Sequence, residues 1–168
     1  MIPVAILGAG MACLACAQYL AKAGVRAVVF DKGRAAGGRV ATRRVDNRQF
    51  DHGAQYVTAS NPAFASVLTE GVAAGALATW NDGSARNQLV GTPGMSALAQ
   101  MLTTGLDIRL NQTVTRVSQE PQGWRLHTHD GDHLAQRVVL AVPAPKVAGL
   151  LGPTHPLVGP LQAVLFAP

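Results

Sequence analysis

Apolar and polar residues follow several different periods along this chain, and each change of period predicts an element. Residues 3–7 are a continuous apolar run and predict a first strand. Residues 11–23 predict a helix, with Ala17 and Leu20 on its packing face and Gly24 where a C-cap is wanted. Residues 25–31 predict a second strand. Residues 32–60 are rich in glycine and arginine without a clear period, as in a segment that wraps a ligand. Asn61-Pro62 supplies a cap and a first-turn proline for a helix over 61–78. Residues 79–93 are polar and turn-rich, and a short helix runs from Gly94 to Leu102. Two short strands are predicted within 106–117 and a hairpin over 122–142, turning at Asp130-Gly131. Its last segment, Val138 to Val142, is apolar throughout, as in a strand buried on both faces of a parallel sheet. Pro143 and Pro145 end it, and residues 161–166 predict one more strand. The pattern is that of an α/β fold.

The first three elements carry candidate chemistry. Strand, glycine turn, helix and second strand follow one another, and the second strand ends in Asp31. That is the layout of a dinucleotide-binding β-α-β unit. Gly8 permits the tight turn. Gly10 lets the backbone approach a pyrophosphate, which then sits at the helix N-terminus. Asp31 is placed to accept hydrogen bonds from an adenosine ribose. The third glycine of such a turn is replaced by Cys13. A cysteine there costs roughly 1–3 kcal/mol where the neighbours do not adjust.

Composition narrows the classes. Apolar residues make up 48% of the 168 and charged residues only 14%, which fits a buried core and excludes a disordered chain. The net charge is +5, with Arg34, Arg39, Arg43, Arg44 and Arg48 clustered after the second strand. Aromatics are too scarce, at 5%, for an interleaved nucleic-acid surface. One arginine facing a phosphate, with the others solvated, is the better account. Residues 2–21 are apolar, but no base precedes them and two glycines interrupt them, so neither secretion nor membrane insertion is expected and the location is read as cytoplasmic. Cys13 and Cys16 form a Cys-x-x-Cys, open to a thiol-redox reading but better suited to structural roles in a helix. His127, His129 and His133 read as exposed hairpin histidines, not as a metal site. No Ser-His-Asp spacing marks a nucleophilic triad.

Six segments in order carry a family resemblance: Gly8-Ala9-Gly10-Met11, Asp31-Lys32, Gly37-Gly38-Arg39, Asp51 through Tyr56, Gly91 through Ser96, and Ala141 through Pro145. The chain resembles flavin-containing amine oxidases, and most specifically bacterial renalase-like proteins. The resemblance implies an FAD/NAD(P)-binding Rossmann-like domain, a parallel sheet with helices and an added β-meander, incomplete relative to the family. It implies that 1–60 and 91–150 form the FAD-binding domain, while 61–90 and 151–168 begin a truncated substrate domain. Non-covalent FAD is the implied cofactor, and oxygen the electron acceptor. The small-molecule substrate is a dihydronicotinamide dinucleotide isomer or an amine; no nucleic acid or membrane partner is implied.

Carried over by motif, Met11 and Ala12 join Gly8 and Gly10 at the pyrophosphate. Asp31 and Lys32 stand at the adenosine ribose, and Gly38 and Arg39 at the phosphates. Gln55 and Tyr56 lie near the flavin ring, and Val114 meets the adenine edge through its backbone. No catalytic acid or base is implied. The family also carries a late Gly-Asp segment; Gly131-Asp132 is not it, because it lies in a hairpin turn. The expected consequences of a half-length chain are weak FAD affinity, negligible turnover and self-association through Leu161 to Phe166. The competing readings are a nucleotide-binding module without catalysis and a thiol-redox protein.

Overall fold

A computed structural model of the protein describes residues 1–81, 83 and 87–165. In chain order its elements are β1 (Ile2–Leu7), α1 (Met11–Lys22), β2 (Ala27–Phe30), a 3-10 turn (Gly38–Val40), β3 (Thr42–Val45), β4 (Arg48–Asp51), α2 (Pro62–Ala73), β5 (Leu77–Trp80) and β6 (Gln88–Gly91). Then come α3 (Ser96–Leu102), β7 (Asp107–Arg109), β8 (Val114–Glu120), β9 (Gly123–Thr128), β10 (Gly131–Leu140), α4 (Ala144–Leu151) and α5 (Val158–Gln162). They divide into two compact units, one of residues 1–35 with the stretch from Gly105 onward, the other Ala36–Thr104.

The first unit is built on a six-stranded sheet in the order β7-β2-β1-β10-β9-β8. The β7, β2, β1 and β10 pairings are parallel, and the β10, β9 and β8 pairings antiparallel. β10 serves both halves. Gly131 to Ala135 pair antiparallel with β9, while residues from Ala135 to Leu140 pair parallel with β1. One buried cluster joins Ala5, Leu7, Val28 and Phe30 to Val117, Leu126 and Ala135. Cys13, Leu14 and Ala17 are the buried residues of α1, one helical face at i, i+1, i+4. Fully burying a side chain such as Ile6 or Leu14 contributes roughly 1.5–3 kcal/mol. α1 stops as expected: Gly24 takes a left-handed φ of +73°, its N–H bonds Ala21 O, and Val25 N–H bonds Leu20 O.

The second unit holds two hairpins and two helices. Residues 32–60, which show no clear period in the sequence, contain the β3–β4 pair, which turns at Asp46 with φ +52°. Asn61 caps α2 as predicted, its Oδ1 accepting from Ala63 and Phe64 N–H. The predicted helix over 61–78 ends at Ala73, however, because Leu77–Trp80 pairs with Gln88–Gly91. That pair also replaces the turn-rich reading of 79–93, within which Asp82, Ser84, Ala85 and Arg86 lie outside the described residues.

Two C-terminal expectations are corrected. Pro143 and Pro145 do more than end β10: Pro143 is the N-cap of α4 and Pro145 lies in its first turn, where a missing N–H costs nothing. The strand expected at 161–166 is instead the end of α5 followed by a turn, with Phe166 outside the described residues. A short apolar run carries no period that separates helix from strand.

Candidate functional site

In the first unit the candidate site is the turn between β1 and α1. Gly8 takes φ +105°, so the backbone favours glycine, and a Cβ there would also crowd Cys13 Sγ and Val142 Cγ1 at 3.1 Å. Gly10 differs. It is the N-cap of α1 in extended conformation, and a Cβ added to it meets nothing within 4 Å. The first helical bond runs from Leu14 N–H to Gly10 O, so the N–H groups of Met11, Ala12 and Cys13 have no acceptor within the helix. No side chain caps them, and the first turn holds no acid. An open surface of N–H groups at the positive end of a helix fits a diphosphate.

Asp31 follows β2 directly. One carboxylate oxygen accepts Ala9 N–H at 2.6 Å and the other accepts Gly33 N–H at 2.6 Å. Its backbone is also fixed, by Asp31 N–H on Arg109 O and Gln112 N–H on Asp31 O. The side chain thus ties the glycine turn to the end of β2. Each oxygen keeps further acceptor capacity for a ribose hydroxyl. Lys32 is exposed, and Val114 opens β8 opposite Thr128.

Cys13 occupies its small space without displacing the helix. Its thiol donates to Leu7 O at 3.4 Å and lies 3.9 Å from Ala141 O. Burial is the main cause pushing this thiol's pKa up, only partly opposed by the Gly10 backbone. A thiol so placed is a poor nucleophile, which favours the structural role.

In the second unit the motif residues build a platform. Gly37 takes φ +137° at the entry to the 3-10 turn that holds Gly38 and Arg39. Arg39 O accepts Ala54 N–H at 2.8 Å, and a Cβ on Gly53 would lie 2.0 Å from that same oxygen. Glycine is therefore required at 53. Asp51 Oδ1 accepts from Met95 N–H at 3.0 Å and from the Thr42 hydroxyl at 2.5 Å, while Thr42 Oγ1 accepts Ser96 N–H at 3.0 Å. So the segments 51–56 and 91–96, far apart in sequence, are hydrogen-bonded to each other. The Arg39 side chain is exposed and, among the described residues, takes part in no ion pair. Gln55 and Tyr56 are exposed, and the Tyr56 ring meets Trp80 at 5.8 Å and 55°.

Sequence reasoning missed Asp51 and Thr42 as structural anchors, Trp80 as the neighbour of Tyr56, and Gln88, which is buried with its Oε1 unpartnered. It also missed a contact on the meander. His127 Nδ1 lies 3.2 Å from Asp132 Oδ1, and His127 Nε2 lies 2.9 Å from Ser118 Oγ. Only the strand register could have revealed that group. His133 points elsewhere, its ring 5.0 Å from that of Phe30.

Comparison with known proteins agrees with this fold. A family model described as an NAD(P)-binding Rossmann-like domain matches residues 6–70, and one described as flavin containing amine oxidoreductase matches residues 72–165, more than half of the chain. Among solved structures, a double mutant of putrescine oxidase superposes with a TM-score of 0.77 at 17% identity, over 95% of this chain and 63% of that one. A protein assigned as protoporphyrinogen oxidase from Exiguobacterium sp. 255-15 gives 0.72 at 17% identity, over 96% and 63%. A fatty acid isomerase from P. acnes gives 0.68 at 16%, over 92% and 62%. The chain therefore spans about 60% of the length of these structures. With a Rossmann-like nucleotide fold, an open glycine turn and a family model matched over more than half its length, the chain belongs to the flavin containing amine oxidoreductase family, whose cofactor is FAD.

Proposed function

We propose that the protein is a renalase-like oxidoreductase that uses FAD to oxidise a dihydronicotinamide dinucleotide isomer or an amine and passes the electrons to oxygen. The observation that carries this reading is the glycine turn, with free N–H groups over an open Gly10 and Asp31 bound to the same turn. Met11 and Ala12 N–H, with Gly8 and Gly10 shaping the approach, hold the diphosphate. Asp31 takes the adenosine ribose, with Lys32 beside it, and the Val114 backbone takes the adenine edge. Gly38 positions Arg39, whose planar, permanently charged guanidinium suits a diphosphate. Gln55, which can both donate and accept, and Tyr56 face the flavin ring. FAD supplies the hydride acceptor, and the chain's task is to hold and orient.

In this reading residues 1–60 and 91–150 act as the nucleotide-binding domain, and 61–90 with 151–168 begin the substrate domain. The protein works in the cytoplasm. Leu157, Val164 and Leu165 are exposed, which supports self-association through that end.

The test is a titration followed by flavin fluorescence. FAD binds more tightly than NADP, because Asp31 repels a 2′-phosphate. Tighter binding of NADP overturns the proposal. Peroxide release from FAD-loaded protein and a mis-reduced dinucleotide then separates an oxidase from a module that binds the nucleotide without catalysis.

A further inference from the structure

We propose that Ser118, His127 and Asp132 on the outer face of the meander form a second, acyl-transfer centre that takes carboxylic esters. The three residues lie on adjacent strands of one unit. Asp132 is directly opposite His127 in the β9–β10 pairing, and Ser118 lies diagonal to His127 across the β8–β9 pairing. Side chains so placed share one sheet face and lie within reach of one another.

His127 stands between two partners. Its Nδ1 lies at ion-pair distance, 3.2 Å, from Asp132 Oδ1, where a proton on Nδ1 faces the carboxylate. In that tautomer Nε2 carries the lone pair, and the Ser118 hydroxyl, 2.9 Å away, donates to it. That is a nucleophile bonded to a base which is itself oriented by a carboxylate. Arg125 Nη1 lies 3.4 Å from the other Asp132 oxygen, and Arg125 Nε holds Glu120 at 2.7 Å. These contacts keep the carboxylate in place. Arg116, two residues before Ser118 on β8 and opposite His127, puts a permanent positive charge on the face where an oxyanion would develop. The group is open to solvent: the His127 and Asp132 side chains are 28% and 38% exposed.

A cavity of about 200 Å³ at the β8–β9 turn has Glu120, Trp124, Arg125 and Leu134 among its walls; Arg125, which also bonds Asp132, links it to the group, whose own three residues do not line it.

The reaction balances without a cofactor. Ser118 Oγ attacks the ester carbonyl carbon as its proton passes to His127 Nε2. The ester C–O bond breaks, and the leaving alcohol takes that proton. Water then attacks the acyl-serine with His127 again as base, releasing the carboxylic acid and restoring the hydroxyl. None of these residues belongs to the proposed nucleotide site, so the two activities fail or stand separately.

The experiment mixes the intact chain with p-nitrophenyl acetate. We expect a burst of nitrophenolate equal to the protein present and one acetyl group on Ser118 by peptide mass spectrometry. Ser118→Ala and His127→Ala lose the burst and at least about 100-fold in rate, within the range supplied by a positioned base. Asp132→Asn slows the reaction without removing Ser118 labelling. The urea midpoint of Ser118→Ala, a surface change that spares the core, matches the parent and certifies its folding. A burst that survives Ser118→Ala, an acetyl group found elsewhere, or no release above buffer overturns the proposal.

Discussion

A Cβ added at Gly10 meets nothing within 4 Å, whereas one added at Gly53 would lie 2.0 Å from the Arg39 carbonyl oxygen. Both glycines sit in the segments that mark the family, yet they do different work. Around Gly10 the backbone N–H groups of α1 are left without acceptors and the surface is open. Around Gly53 the polar groups are consumed internally: Arg39 O by Ala54, Asp51 by Met95 and Thr42. A family motif thus contains residues that face a ligand and residues that only hold those in place, and the surrounding hydrogen bonds tell them apart.

The largest test of this contrast is Gly53→Ala. With no room against backbone, it should cost at least about 3 kcal/mol, read as a lowered urea midpoint. A near-neutral result would mean that the 51–56 segment moves freely away from Arg39. Arg39→Ala should leave the urea midpoint alone and weaken FAD binding by about 10- to 150-fold, the loss of a charge-assisted contact of roughly 1.5–3 kcal/mol. Arg44, whose Nε bonds Gln49 at an exposed site, should show almost no effect on either measurement. Equal losses from the two arginines would point to a diffuse field. Gly10→Ala should be folded to within about 0.5 kcal/mol yet bind FAD about tenfold more weakly, because its new methyl group stands where the diphosphate approaches. An unchanged affinity would move the diphosphate off this turn.

Cys13→Gly should have a modest effect, confined to stability: roughly 1–2 kcal/mol of destabilisation from helix propensity and a small void. A stabilised variant would show that the thiol is strained where it sits. In the parent chain a thiol reagent should modify the half-buried Cys16 well before Cys13, whose burial pushes its thiol pKa up.

What was legible in the sequence was local. The β1-α1-β2 unit announced itself because its strands are apolar runs, its turn needs glycine, and Gly24 closes the helix within a few residues. The Asn61 cap was legible for the same reason. The β3–β4 pair was not. Arg43, Arg44 and Arg48 fill exposed positions on it, so no apolar alternation marks a buried face. α4 hid behind Pro143 and Pro145, which stop a strand and start a helix with equal ease. The contacts among Ser118, His127 and Asp132 depend on the register of three strands. The same register aligns Asp132 with His127, and no linear spacing encodes it.

The position of β10 bears on how the chain is made. β1 leaves the ribosome well before its partner on one side, Ala135 to Leu140, which is synthesised roughly 130 residues later, or about 7–26 s at ordinary translation speed. Through that interval β2 can cover only one edge of β1, and the other presents unpaired amides beside Val4, Ala5, Ile6 and Leu7. The central pairing therefore has high contact order, and the loop it closes holds the whole second unit. Folding of the nascent chain must keep that edge from pairing with a neighbour until β10 arrives, which makes this interval the one most exposed to misassembly.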